Sequence, residues 1–162
     1  MSKFIKAALA SSVLAASVMG ANAAHAATAS ADASANILEQ INVTKTSDLD
    51  FATILTGTSA STVVVSPAGV RTCGTGLVCT DPVTAAAFDV TGTATQTVDV
   101  SADSSVTLTS GANSMTASLV TDVATIVLDG TDSFSVGGTL SVAANQADGA
   151  YSGTFDVTVN YQ

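Results

Sequence analysis

The chain has 162 residues, enough for one domain with a modest core. Only 10% of them are charged, against roughly 25% in typical globular domains. Four cations against thirteen acids leave no basic patch for nucleic acid or an anionic membrane surface, so neither partner is expected.

In chain order, Met1 to Ala26 carries Lys3 and Lys6, an apolar run from Ala7 to Gly20, then Ala24-His25-Ala26. A basic head, an apolar middle and a small-x-small site predict a secretory signal peptide cleaved after Ala26. The apolar run is too short for a comfortable membrane span, and no membrane insertion is expected. The protein is therefore expected to be exported, passing through the periplasm to the cell surface or beyond. Cleavage leaves Lys45 and Arg71 as the cations against all thirteen acids, a net charge of −11. The next stretch, 27–36, alternates: Ala27, Ala29, Ala31, Ala33 and Ala35 interleave with small polar residues, and Ile37 continues the apolar register. It reads either as a flexible leader or as a strand this chain could donate to a neighbour.

The domain itself is expected over residues 37–162, with strands and turns and no helix. Asn36 to Lys45 reads as an early strand through Ile37, Ile41 and Val43, followed by Asp48 to Leu55. Ser61 to Ser66 is a short apolar strand stopped by Pro67-Ala68-Gly69. Phe88 and Val90, then Val98 and Val100, lie either side of Gly92, while Ala85 to Ala87 is too short for a helix. Val106 to Leu108 leads to a turn at Gly111-Ala112-Asn113. Met115 to Val120 and Ala124 to Leu128 precede a tight turn at Asp129-Gly130. Phe134 and Val136 alternate into Gly137-Gly138, with Leu140 and Val142 beyond. Short alternating strands punctuated every eight to twelve residues predict an all-β fold, a single immunoglobulin-like antiparallel sandwich.

Cys73 and Cys79 are the two cysteines, separated by five residues that include two glycines. In an exported protein such a pair is expected to form a disulfide, here a structural clip at a hairpin tip. No third ligand and no Cys-x-x-Cys spacing supports a metal or redox pair. Beyond the signal peptide the sequence has no histidine, so nucleophilic catalysis lacks its usual base. The acids beside turns, such as Asp48/Asp50, Asp99/Asp103 and Asp129/Asp132, read as solvated turn residues, and no spacing matches a calcium loop. The expectation is a non-enzyme with no cofactor and no metal.

The C-terminal segment alternates most strictly. Tyr151, Gly153, Phe155, Val157, Val159 and Tyr161 take the odd positions, with Ser152, Thr154, Asp156, Thr158 and Asn160 between them, as in a strand with one buried face. With Gly149 upstream and the aromatic one residue from the end, this resembles the C-terminal strand of chaperone–usher pilus subunits. Asp48-Leu49-Asp50-Phe51, Phe88-Asp89-Val90-Thr91-Gly92, Val136-Gly137-Gly138-Thr139-Leu140 and the C-terminal motif occur in order. Together they resemble the DUF4402 family of exported bacterial proteins, itself similar to pilus subunits and spore-coat-U-like proteins. The cysteine-bearing stretch Arg71 to Thr80 departs from that pattern. The resemblance implies a pilin-like sandwich that assembles with copies of itself or related subunits, with a periplasmic chaperone and an outer-membrane usher as transit partners. Gly149, Tyr151, Phe155, Val157, Val159 and Tyr161 would then form the chaperone- or subunit-binding strand, and Ala27 to Ile37 a donor strand. The alternative is a self-contained secreted sandwich acting as an adhesin or glycan-binding module, which requires exposed aromatics.

Overall fold

The computed structural model describes residues 27–162; the expected signal peptide, residues 1–26, lies outside them. The chain divides into two units at Ala35/Asn36. Ala27 to Ala35 carry no regular secondary structure and are exposed.

The described residues of the second unit form twelve strands: β1 Asn42–Ser47, β2 Thr53–Leu55, β3 Ser61–Val65, β4 Arg71–Cys73, β5 Val78–Thr80, β6 Ala86–Thr91, β7 Thr97–Ala102, β8 Ser105–Ser110, β9 Asn113–Thr121, β10 Thr125–Val127, β11 Thr131–Val142 and β12 Val157–Tyr161. Among these residues no helix is long and apolar enough to cross a membrane. All ladders are antiparallel. They build a seven-stranded sheet, a three-stranded sheet β10-β7-β12 and a two-stranded ribbon β2-β5.

β11 organises the larger sheet. Its Val136 pairs with Ala86 of β6 and with Thr121 of β9, so these neighbours flank it on opposite sides. Gly138 pairs with Leu119 of β9 and Val65 of β3, which places β3 end to end with β6 along the same flank. Where β6 gives way to β3 the backbone passes directly against Gly137: a Cβ there would lie 2.6 Å from the Pro67 nitrogen and closer still to the Val65 carbonyl. The Gly137-Gly138 pair therefore lies inside one unbroken strand, because the close approach of a neighbouring chain excludes a side chain.

Side chains alternate as the sequence does. Ala86, Phe88, Val90, Phe134 and Val136 point inward from the larger sheet, opposite Val98 and Val100 of β7. Phe88 and Phe134 are cross-strand partners whose rings stack at 5.2 Å, and Phe155 meets Phe88 edge-on at 6.5 Å. A second cluster of Phe51, Val63, Val65, Val106, Ala117, Leu140 and Val142 fills the other end of the sandwich. Leu49, Leu119 and Phe155 pack against both clusters and join them.

Several strand limits differ from expectation. β1 begins at Asn42, not Asn36, because residues before it are held by side chains instead of a ladder: Glu39 N donates to Thr93 Oγ1 at 2.6 Å. The expected strand Asp48 to Leu55 is interrupted. The Asp50 carboxylate accepts from Ala52 N at 2.8 Å and Ala52 takes φ 58°, leaving one bridge at Asp50–Thr84 before β2. Cys73 and Cys79 do form a disulfide, with Cα atoms 6.1 Å apart. It is not a clip across one hairpin, however. Cys73 lies on β4, paired with β3, and Cys79 on β5, paired with β2, so the bond joins two different ladders.

Candidate interaction surface

The sequence β1-β6-β11-β9 in one sheet and β7-β12 in the other corresponds to strands A-B-E-D and C-F of an immunoglobulin constant-type sandwich. In that architecture a seventh strand, G, pairs with F on the edge away from C. Here that edge belongs to β12. Among the described residues β12 pairs only with β7, and nothing lies in ladder with its outer side. An unpaired edge presents a row of N–H and C=O groups able to template another strand.

The C-terminal stretch reaches this position in two steps. Gly149 has φ 150°, and a side chain there would strike the Ser110 hydroxyl. Tyr151 and Gly153 flank Ser152, whose N–H and C=O both bond Thr109 of β8, at 3.1 and 2.8 Å. Gly153 is exposed, but a side chain there would strike the Thr107 carbonyl and meet the buried Val106, so the position has no room for one. The chain then crosses from the larger sheet to the smaller. Asp103 and Asp156 clasp the crossing: Asp156 N donates to Asp103 Oδ2 at 2.9 Å and Asp103 N to Asp156 O at 3.0 Å. From Phe155 the alternation holds, with Phe155, Val157, Val159 and Tyr161 partly buried and the residues between them exposed. The expected single strand is thus two segments, one on each sheet.

Opposite β12, across the free edge, runs the stretch from Glu39 through β1 to Thr56. Tyr161 ties the two at one end. Its hydroxyl accepts from Thr93 N at 2.7 Å and donates to Glu39 O at 2.8 Å. Beyond β1 the chain borders a cavity, or groove, of about 710 Å³. Leu49 to Thr56 form one wall, Gln146 to Tyr151 the other, and Leu108, Met115, Leu140 and Val142 the apolar floor. Gln146 fixes the second wall by donating to the Tyr151 hydroxyl at 2.8 Å, while Tyr151 donates to Ala147 O at 2.8 Å. Phe155, Val157 and Val159 are partly buried and pack against the first core cluster. A free strand edge offers backbone hydrogen bonds and an apolar groove offers side-chain pockets, the two elements of strand addition.

The motifs named from the sequence fall on this surface unevenly. Gly149 and Tyr151 line the cavity, whereas Phe155, Val157, Val159 and Tyr161 pack on the first core cluster. Ala27, Ala29, Ala31, Ala33 and Ala35 belong to the first unit, and Ile37 is 90% exposed. Cys73 and Cys79 stand behind the β2 wall. Phe51, Ile54, Leu108, Met115 and Gln146 were not named as site residues from sequence; Phe51 entered only in the family motif and Leu108 and Met115 only as strand residues, and only the topology gathers them. Among the described residues no group of three His, Cys, Asp or Glu side chains could hold a metal ion.

The fold defines an immunoglobulin-type antiparallel sandwich in which, among the described residues, β12 is an edge strand. Residues 41–161 match DUF4402, a domain of unknown function, and the chain belongs to that family. No curated protein is matched by the chain.

Proposed function

We propose that this protein is a non-enzymatic structural subunit of a fimbria-like or coat-like bacterial surface assembly, exported through the periplasm and polymerised by β-strand donation. The observation that carries the reading is the unpaired outer edge of β12, in a domain that also holds an apolar groove at Phe51 and Leu140. A donated strand would complete the ladder and cover Phe155, Val157 and Val159, removing both liabilities of an open sheet at once. The alternating stretch Ala27 to Ile37 of another copy is the donor named by sequence, with Ile37 its one large anchor. Before assembly, a periplasmic chaperone could cover the same edge, and an usher would pass the subunit outward.

The burial of the aromatics favours this reading over a glycan-binding module. Phe51, Phe88 and Phe134 are buried and Phe155, Tyr151 and Tyr161 partly so; sugar stacking requires exposed rings. Val157→Asp tests the proposal by placing a carboxylate on the apolar face of β12. Polymer should disappear while the chain keeps its sheet content by circular dichroism. Undiminished polymer from a folded Val157→Asp protein would refute strand acceptance at this edge.

A further inference from the structure

The Cys73–Cys79 bond stands where it controls a wall of the groove. Ala52 to Thr56, around β2, form one side of the 710 Å³ cavity. The ladder partner of β2 is β5, and the two form a ribbon outside the larger sheets. Besides the four-residue turn of residues 74–77, closed by Leu77 N donating to Gly74 O at 3.3 Å, two links tie β5 to β4. One is the disulfide. The other is the Arg71 guanidinium, which donates to Asp81 O at 2.7 Å, Thr80 O at 2.8 Å and Cys79 O at 3.1 Å. β4 in turn is laddered to β3, and Gly74 N donates to Thr62 O at 2.9 Å, so this side is anchored in the seven-stranded sheet. The connection therefore runs from sheet to β4, across the sulfurs to β5, then through β2 to the cavity. Cys73 is exposed, within reach of an external thiol. With the bond open, the ribbon keeps the Asp50–Thr84 bridge, the Arg71 contacts and the packing of Ile54 and Leu77.

We infer that the disulfide is a redox latch on the groove. Closed, it holds the β2-β5 ribbon against the main sheet and sets the Leu49–Thr56 wall of the groove. Open, it loosens the ribbon on its remaining ties, so a strand is accepted well only after oxidation. The inference rests on the strand-accepting reading above. Closure occurs by exchange with an external disulfide: the two thiols lose two protons and two electrons, the Cys73–Cys79 bond forms, and the external S–S bond breaks into two thiols. Reduction by a dithiol reverses the step. Such a latch keeps this wall loose in a reducing cytosol and sets it in an oxidising compartment.

Hydrogen exchange on the purified protein, oxidised and then reduced under native conditions, tests the latch, with Cys73→Ser/Cys79→Ser as a second reduced form. Amides of Thr53–Leu55 and Val78–Thr80 should exchange at least about tenfold faster without the bond, while those of β6, β7 and β11 keep their rates. Uptake of a synthetic peptide with the sequence of residues 27–37 should fall by at least about tenfold in the same samples. Unchanged exchange in β2 and β5, a uniform rise across all strands, or equal peptide uptake with and without the bond would each overturn the latch. An oxidised protein that takes up no peptide and forms no polymer would instead remove the groove reading, and the exchange data would still decide whether the disulfide sets this wall.

Discussion

Tyr161 concentrates several roles in one side chain. Its ring packs on the core cluster of Phe88, Val98 and Phe134, while its hydroxyl holds Thr93 and Glu39 together. A hydrogen bond of this kind contributes about 0.5–1.5 kcal/mol, and stranding its partners costs more. Tyr161→Phe should therefore lower stability by about 1–2 kcal/mol, read as a shift in denaturant midpoint with unchanged slope. An unchanged midpoint would show that the Glu39 and Thr93 groups find water as readily. Gly137 makes the opposite point, since what matters there is the absence of a side chain. Gly137→Ala drives a methyl into the Val65–Pro67 backbone and should cost at least ~1–3 kcal/mol, as overpacking does. A neutral Gly137→Ala would mean that β3 can shift away from β11.

At the scale of elements, β12 carries the argument and shows how far sequence reading reaches. The alternation of Phe155, Val157, Val159 and Tyr161 was legible because a half-buried strand has a fixed two-residue period. The crossing between sheets was not, since Gly153 fits the same period yet lies against Thr107 of the larger sheet. Local pattern tells which face of a strand is apolar; it does not tell which strand lies beside it. The same limit explains the cysteines. Their pairing followed from compartment and number, but β4 and β5 are three-residue strands whose partners, β3 and β2, are chosen by the tertiary fold. The groove itself was visible in sequence only at Gly149 and Tyr151. Arg71 adds a prediction here: as the second tie between β4 and β5, Arg71→Gln should speed exchange at Val78–Thr80 in the oxidised protein, and less than reduction does. A larger effect than reduction would make the guanidinium, not the disulfide, the main restraint.

The described residues of the second unit form a sandwich with two apolar clusters, and on the strand-donation reading one strand position is left to be filled. Leu49, Leu119 and Phe155 join the two clusters, so the domain can fold before its groove is filled. Filling it adds ladder bonds and apolar burial to the native state alone, and a ligand bound only to the native state raises apparent stability by mass action. Assembled protein should accordingly melt well above the isolated subunit, a difference that calorimetry would register; equal melting temperatures would argue that no core residue is covered on assembly. The near absence of cations removes electrostatic attraction to polyanions and leaves strand pairing as the main contact the fold offers. Protein sheared from the cell surface and run on a denaturing gel, unheated beside boiled and without reductant, examines that claim most directly. The account predicts a ladder of multiples in the unheated lane that collapses to one band on boiling, as non-covalent strand exchange requires. A single monomer band in both lanes would contradict it.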